Sequence, residues 1–452
     1  MRRARGVKMK DRDKWISIIG LGKLGACMAA CLACKGYRII GIDSNRRIVE
    51  AINKHRSPHK EPNLQAHIDL AGNRLKATSD IKDAIRFSDI TFIVLPTPSK
   101  KDGSFSDEYL RDVLKLLSKN LKESKKKYHL FVITSTLSPG TIEKSLIPLI
   151  EKVSNRRLNV GFGIGYNPEF IALGTVIRDF LSPDFLLIGE SDKFVGNKLE
   201  KIYSRVCKNR PYIARMSIIG AEITKISLNS YITMKISFAN TLANLCEKIP
   251  EADVDAITKA LGMDKRISPY YIRGGPSYGG PCFPRDNRAF INFAKKCGLR
   301  AKLAKATDEV NKLQTKRLAN LVLKNLSEMN KKNVSILGLA YKPATPVLEE
   351  SVAVKLINQL LKRDIKVNVY DPLAMDNARL FFKKRVSYAS SVKDCISRTS
   401  LCVITSPLDE FRNIDGSFIA HNPAVIIDCW RILDRVRFRK GIKYISLGKV
   451  TL

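Results

Sequence analysis

At 452 residues the chain exceeds what one hydrophobic core usually serves, so two or three domains are expected. Hydrophobic residues at 44% and charged residues at 27% exclude a largely disordered polypeptide. Lys and Arg total 79 against 43 Asp and Glu, and the resulting net charge of +36 favours phosphates, nucleic acids or anionic surfaces as partners without bearing on fold.

Ten cysteines without dense, regular spacing exclude a small disulfide-stapled scaffold and fit a reducing compartment. The basic stretch Met1 to Lys14 is not followed by an apolar segment with a small-residue cleavage site. No uninterrupted apolar run reaches membrane-spanning length, so a cytoplasmic location and no membrane partner are expected.

Trp15-Ile16-Ser17-Ile18-Ile19 reads as a buried strand, and Gly20-Leu21-Gly22-Lys23-Leu24-Gly25 follows it directly. Small and apolar residues from Ala26 to Cys34 predict a helix, and Tyr37 to Asp43 predicts a second strand ending in an acid. In that context the glycines form a dinucleotide fingerprint: Gly20 for the tight turn, Gly22 for close approach of a pyrophosphate, Gly25 for packing of helix on strand. Asp43 stands where a carboxylate accepts from ribose hydroxyls and repels a 2′-phosphate, which favours NAD over NADP. Without a ligand the same residues would be a glycine-rich turn. Cys27, Cys31 and Cys34 share a helical face, either as core residues or, given a fourth ligand, as a metal site.

Further strands are predicted at Asp89–Leu95, running into Pro96-Thr97-Pro98, and at Phe131–Thr134, running into Ser135-Thr136-Leu137-Ser138-Pro139-Gly140-Thr141. Both turns lie at carboxyl ends of strands, where open α/β sheets gather ligands, although Pro and Gly also merely punctuate chains. Between them, Lys122 to Lys127 reads as a solvated helix end. Asn167-Pro168-Glu169-Phe170 offers a carboxylate in a turn, suited to proton transfer or to orienting water. From about Ile218 to Lys248 the 3.6-residue periodicity predicts a long helix with Lys225 and Asn229 one turn apart; Lys225 alone would read equally as a surface lysine.

Gly274 to Asp286 is too dense in Gly and Pro for regular structure and sets Cys282 beside Arg285 and Asp286. A thiol near cationic groups is readily the thiolate that attacks carbonyl carbon; a buried inert cysteine is the alternative. Strands recur at Asn333–Ala340, Ile365–Pro372, Leu401–Thr405 and Val425–Asp428, so a second α/β domain and a second nucleotide ligand are expected.

The ordered set of motifs resembles the UDP-glucose 6-dehydrogenase and GDP-mannose dehydrogenase family across nearly the whole chain. The set comprises the fingerprint, Pro96-Thr97-Pro98, Ser135-Thr136, Asn167-Pro168-Glu169-Phe170, Lys225 with Asn229, Gly279-Gly280-Pro281-Cys282-Phe283-Pro284-Arg285-Asp286, and Gly338-Leu339-Ala340-Tyr341-Lys342-Pro343. The resemblance implies an α/β fold with two Rossmann-like doubly wound domains, joined by a long central helix and an all-α dimerisation region. It divides the chain at 1–210 for NAD, 211–328 for dimerisation and 329–452 for the UDP-sugar.

It also implies twofold oxidation of a sugar primary alcohol, with UDP-glucose the leading substrate and UDP-N-acetylhexosamines, UDP-galactose or GDP-mannose as alternatives. Cys282 would form a thiohemiacetal and then a thioester; Lys225 and Asn229 would serve the alcohol and its oxyanion; Thr136, Glu169 and Asp286 would arrange water. Gly20, Gly22, Lys23, Leu24, Gly25, Asp43, Pro96, Thr97, Ser135, Thr136 and Arg285 would contact NAD. Phe170, Lys225, Asn229, Tyr271, Arg273, Tyr278, Gly279 and Lys342 would contact the substrate, with Arg266 arriving from a partner subunit of a homodimer or larger homo-oligomer.

Several positions depart from the family pattern. Leu173 replaces a second acid, Glu349 an arginine, and Pro281 a serine, while Asp428-Cys429-Trp430-Arg431 replaces Asp-Gly-Arg-Asn. A nucleic-acid-binding protein and a non-catalytic NAD-binding regulator are the readings from other classes. The scattered distribution of positive residues argues against the first, and the intact cysteine loop against the second.

Overall fold

The structure, a computed structural model, describes residues 15–415, 424–434 and 441–450. The basic Met1 to Lys14 stretch lies outside them. The chain divides into two compact units, Met1–Ile226 and Ser227–Leu452.

The first unit is built on eight strands: β1 (Trp15–Ile19), β2 (Arg38–Ile42), β3 (Leu75–Thr78), β4 (Ile90–Ile93), β5 (His129–Ile133), β6 (Phe162–Tyr166), β7 (Phe185–Glu190) and β8 (Tyr212–Ser217). Their order is β3-β2-β1-β4-β5-β6-β7-β8, parallel except where β6 meets β7. Strands covered on both faces are largely apolar, and β5 and β6 are buried along their whole length, with the polar His129 of β5 hydrogen-bonded to Thr91 of β4 at 2.8 Å. The strand order reverses between β1 and β4, and at such a switch the loops at the carboxyl ends splay apart into a crevice.

The helix Lys23–Cys34 leaves that crevice and is buried from Gly25 to Ala33. Its run of Ala, Cys and Gly is what lets it sit this deep in the core. Cys27 and Cys31 are fully buried in the apolar core there, while Cys34 is half-buried and its Sγ donates to His67 O at 3.1 Å.

The second unit repeats the plan. Its strands β9 (Asn333–Leu337), β10 (Lys366–Tyr370), β11 (Ser387–Tyr388), β12 (Leu401–Ile404), β13 (Val425–Asp428) and β14 (Lys443–Ser446) are ordered β11-β10-β9-β12-β13-β14, all parallel. Ahead of this sheet come the helices Val254–Met263, Phe283–Lys296 and Lys302–Glu328. The predicted long helix spans Ile218–Cys246, 29 residues. Among the described residues no helix is long and apolar enough to cross a membrane.

Candidate active site

The fingerprint loop carries the geometry its glycines predict. A Cβ on Gly25 would meet the Gly20 carbonyl oxygen at 1.9 Å, so only glycine lets the helix start this close to β1. A Cβ on Gly22 would meet nothing within 4 Å. The helix Lys23–Cys34 has no side-chain cap and no acid in its first turn, which leaves its N-terminal amides and dipole to an anion. Lys23 is exposed and Leu24 half-buried. The Asp43 carboxylate accepts from Leu21 N at 2.7 Å and Asn45 N at 2.8 Å, which aims it beneath the loop and keeps a second lone pair on each oxygen for ribose hydroxyls. The donor set fits a dinucleotide without a 2′-phosphate.

The two turns after β4 and β5 are tied to each other. Ser135 Oγ accepts from Leu95 N at 2.9 Å and donates to Leu95 O at 2.7 Å, while Thr97 Oγ1 donates to Thr136 O at 2.7 Å. Pro96 is exposed and Thr136 half-buried. These turns are therefore one built surface at the carboxyl edge rather than separate punctuation. The Lys122 to Lys127 stretch includes Lys126, whose Nζ lies 2.5 Å from Asp89 Oδ1 and serves the sheet.

After β6, Asn167 Nδ2 donates to Leu187 O at 3.0 Å, and its Oδ1 accepts from the Tyr203 hydroxyl. Tyr203 also donates to Glu169 Oε1 at 3.3 Å. Burial pushes the Glu169 carboxyl up to about 7, against the Tyr203 hydrogen bond and the charge of Lys225, which pull it down. Lys225 is 7% exposed, so it is not a surface lysine. Its Nζ donates to Glu169 O at 2.7 Å and lies 4.3 Å from the centre of the Phe170 ring. Leu173 is packed against the apolar core of this unit.

Sequence reasoning missed Glu222. It is fully buried on the long helix and accepts from Gly140 N at 2.6 Å and Ile142 N at 3.1 Å. Burial raises its carboxyl to about 7 despite those two amides. The available signal was an acid at an apolar helix position, one turn before Lys225.

In the second unit the cysteine loop is held from several sides. Asn240 Oδ1 accepts from Gly275 N at 2.9 Å; Asn311 accepts from Tyr278 N at 2.8 Å and donates to Tyr278 O at 3.1 Å; Glu349 O accepts from Gly280 N at 3.1 Å. A Cβ on Gly279 would meet Glu350 O at 2.3 Å, so this glycine is a packing requirement. Cys282 is exposed, which excludes the buried inert cysteine; among the described residues Cys297 is the only other exposed cysteine. Cys282 stands at the N-cap of Phe283–Lys296, facing the positive end of that helix dipole. Asp286, buried one turn on, accepts from Asn229 Nδ2 at 2.7 Å and lies 3.2 Å from Arg285 Nε.

Other predicted contacts have varied surroundings. Tyr271 is exposed and edge-on to Phe283, and Tyr278 is buried. Arg266 is exposed and pairs with Asp264 at 2.6 Å. Lys342 Nζ lies 5.9 Å from the Tyr341 ring centre. Arg273 donates to Trp430 O at 3.1 Å and stacks over that indole. Arg431 is committed elsewhere: its guanidinium grips Asp255 at 2.7 and 2.8 Å and donates to Gly274 O at 2.7 Å. The altered Asp428-Cys429-Trp430-Arg431 segment therefore braces the cysteine loop.

The two sheets repeat one detail. Gly20 N donates to Ile42 O and Gly338 N to Tyr370 O; Asp371, at the end of β10, accepts from Leu339 N at 2.7 Å as Asp43 does from Leu21 N.

Comparison with known proteins agrees with this architecture. Three sequence models of the UDP-glucose/GDP-mannose dehydrogenase family match in chain order: the NAD binding domain at residues 14–207, the central domain at 220–313 and the UDP binding domain at 335–435. The chain is 35% identical to the UDP-glucose 6-dehydrogenase AglM of Haloferax volcanii, over 96% of this chain and 99% of that protein. It is 34% identical to the GDP-mannose 6-dehydrogenase of Pseudomonas putida, over 79% and 80% respectively. The solved UDP-glucose dehydrogenase of Pyrobaculum islandicum superimposes with a TM-score of 0.86 at 29% identity, covering 96% of this chain and all of that one. Fingerprint, cysteine loop and these matches converge: the chain belongs to the UDP-glucose/GDP-mannose dehydrogenase family of NAD-dependent nucleotide-sugar oxidoreductases.

Proposed function

We propose that the protein oxidises C6 of UDP-glucose twice, giving UDP-glucuronate through a thiohemiacetal and a thioester on Cys282. The observation that carries this reading is an exposed thiol at a helix N-cap, one turn before a buried carboxylate bonded to Asn229. Bound NAD supplies the hydride acceptor, once for each oxidation.

The protein's own groups handle the rest. As the first hydride leaves C6 and the alcohol proton passes to an ordered water, the Lys225 ammonium and the Asn229 amide stabilise charge on the C6 oxygen, giving the aldehyde. The Cys282 thiolate adds to the aldehyde carbon, forming a C–S bond, and the oxygen takes a proton. Loss of the second hydride and of the hydroxyl proton leaves the thioester. Water, oriented by Thr136 and deprotonated by Glu169 or Asp286, attacks that carbonyl, and the C–S bond breaks to return the thiolate. Holding one carbon in one place lets both oxidations use the same geometry. The cations Arg273, Lys342 and a partner subunit's copy of Arg266 would take the diphosphate. Such a role for Arg266 makes the active form a homodimer or a larger homo-oligomer.

The test is NADH production by purified protein with UDP-glucose, UDP-galactose, UDP-N-acetylglucosamine, UDP-N-acetylmannosamine and GDP-mannose. UDP-glucose is expected to give the highest kcat/KM. A lead for GDP-mannose or an acetamido sugar would overturn the substrate assignment and leave the reaction type standing.

A further inference from the structure

The long helix Ile218–Cys246 begins with two buried side chains that each hold a loop. Glu222 fixes the end of the Ser135–Thr141 turn through the amides of Gly140 and Ile142. Lys225, one turn on, fixes the Asn167–Phe170 turn through the carbonyl of Glu169. The start of the Ser135–Thr141 turn is fastened separately, by Ser135 to Leu95 and by Thr97 to Thr136. Its middle is fastened by Ser138, whose Oγ accepts from Phe105 N at 3.0 Å.

A fully buried carboxyl group costs stability, and a loop end could be closed by a neutral side chain at lower cost. What the carboxylate provides is two acceptor oxygens on one rigid plane, able to take two amides two residues apart. The turn is thereby referenced to the same helix turns that carry Lys225.

We propose that Glu222 is a positioning residue for the cofactor: it locks the Ser135–Thr141 turn to the helix of Lys225, so that the nicotinamide end of NAD and the Lys225 ammonium keep a fixed spacing. This rests on the reading of that turn as an NAD contact. Glu222 itself touches neither substrate nor cofactor.

Glu222→Gln isolates the effect, because its carboxamide presents one acceptor and one donor where two amides need acceptors. The expected result is a rise of about tenfold in KM for NAD and a comparable fall in kcat, while KM for the nucleotide sugar stays within about twofold. Amide exchange at Gly140 and Ile142 should quicken, with the Gly20–Gly25 amides unchanged. Glu222→Asp keeps the charge but is one methylene too short, and should show the same pattern, which also covers a Gln variant that fails to fold. An unchanged KM for NAD, alongside a lowered Tm, would make Glu222 a stability residue only and overturn the proposal. Calorimetric NAD binding to wild type and variant separates this from the parent reading. A wild type that binds NAD but yields no NADH from any nucleotide sugar sinks the proposed reaction, whereas equal NAD affinity in both proteins sinks the role of Glu222.

Discussion

Cys282, Lys225 and Glu169 are ordinary residue types whose surroundings set their chemistry. Glu169 carries the clearest consequence, since burial lifts its carboxyl to about 7. A raised carboxyl is protonated at lower pH, and only the ionised form accepts a proton from water. Thioester hydrolysis should therefore slow as pH falls through 7, giving an acidic limb in the kcat profile, and Glu169→Gln should abolish that limb and lower kcat by about a hundredfold. A limb that persists in the Gln variant would move the base to Asp286. Glu169 and Cys282 were legible because each lies in a turn-rich motif that regular structure does not explain, whereas Lys225, on a regular helix, was legible only through its place in the ordered set of motifs. Glu222 was not, because a lone acid within a long helix does not reveal its loop partners until packing shows it buried against them.

The first loop-and-helix element is where sequence and structure agree most closely, since its glycine spacing has one physical solution. Gly25→Ala places a methyl group 1.9 Å from Gly20 O and must displace the helix start. Its Tm should fall and its NAD affinity drop at least tenfold, about 1.4 kcal/mol. Gly22→Ala, facing open space, should weaken NAD while leaving Tm unchanged, and a Tm loss there would contradict the assignment of that face to the pyrophosphate. Two strands, one inside the first sheet and one at the edge of the second, were harder to read. Phe162–Tyr166 alternates glycine with apolar residues, which weakens any strand signal, and Ser387–Tyr388 is two residues long. Both are specified by their neighbours rather than by their own propensity.

At the scale of the whole molecule, the first six strands of the eight-stranded sheet share the order of the six-stranded one, with an acid at the end of the second strand reaching back to the glycine turn of the first. Repeating strand-and-glycine patterns made the duplication legible in outline. The bracing of the cysteine loop by Arg431 and Asp255 was not, because the partners lie 176 residues apart in the chain. Two nucleotide-type sheets and one exposed thiol at a helix start suit a reaction in which a single sugar carbon meets NAD twice. The most direct measurement is the ratio of NADH formed to UDP-glucose consumed by the purified protein. Two NADH per sugar, with UDP-glucuronate as product, is the result expected; one NADH per sugar with a released aldehyde would contradict the covalent role of Cys282.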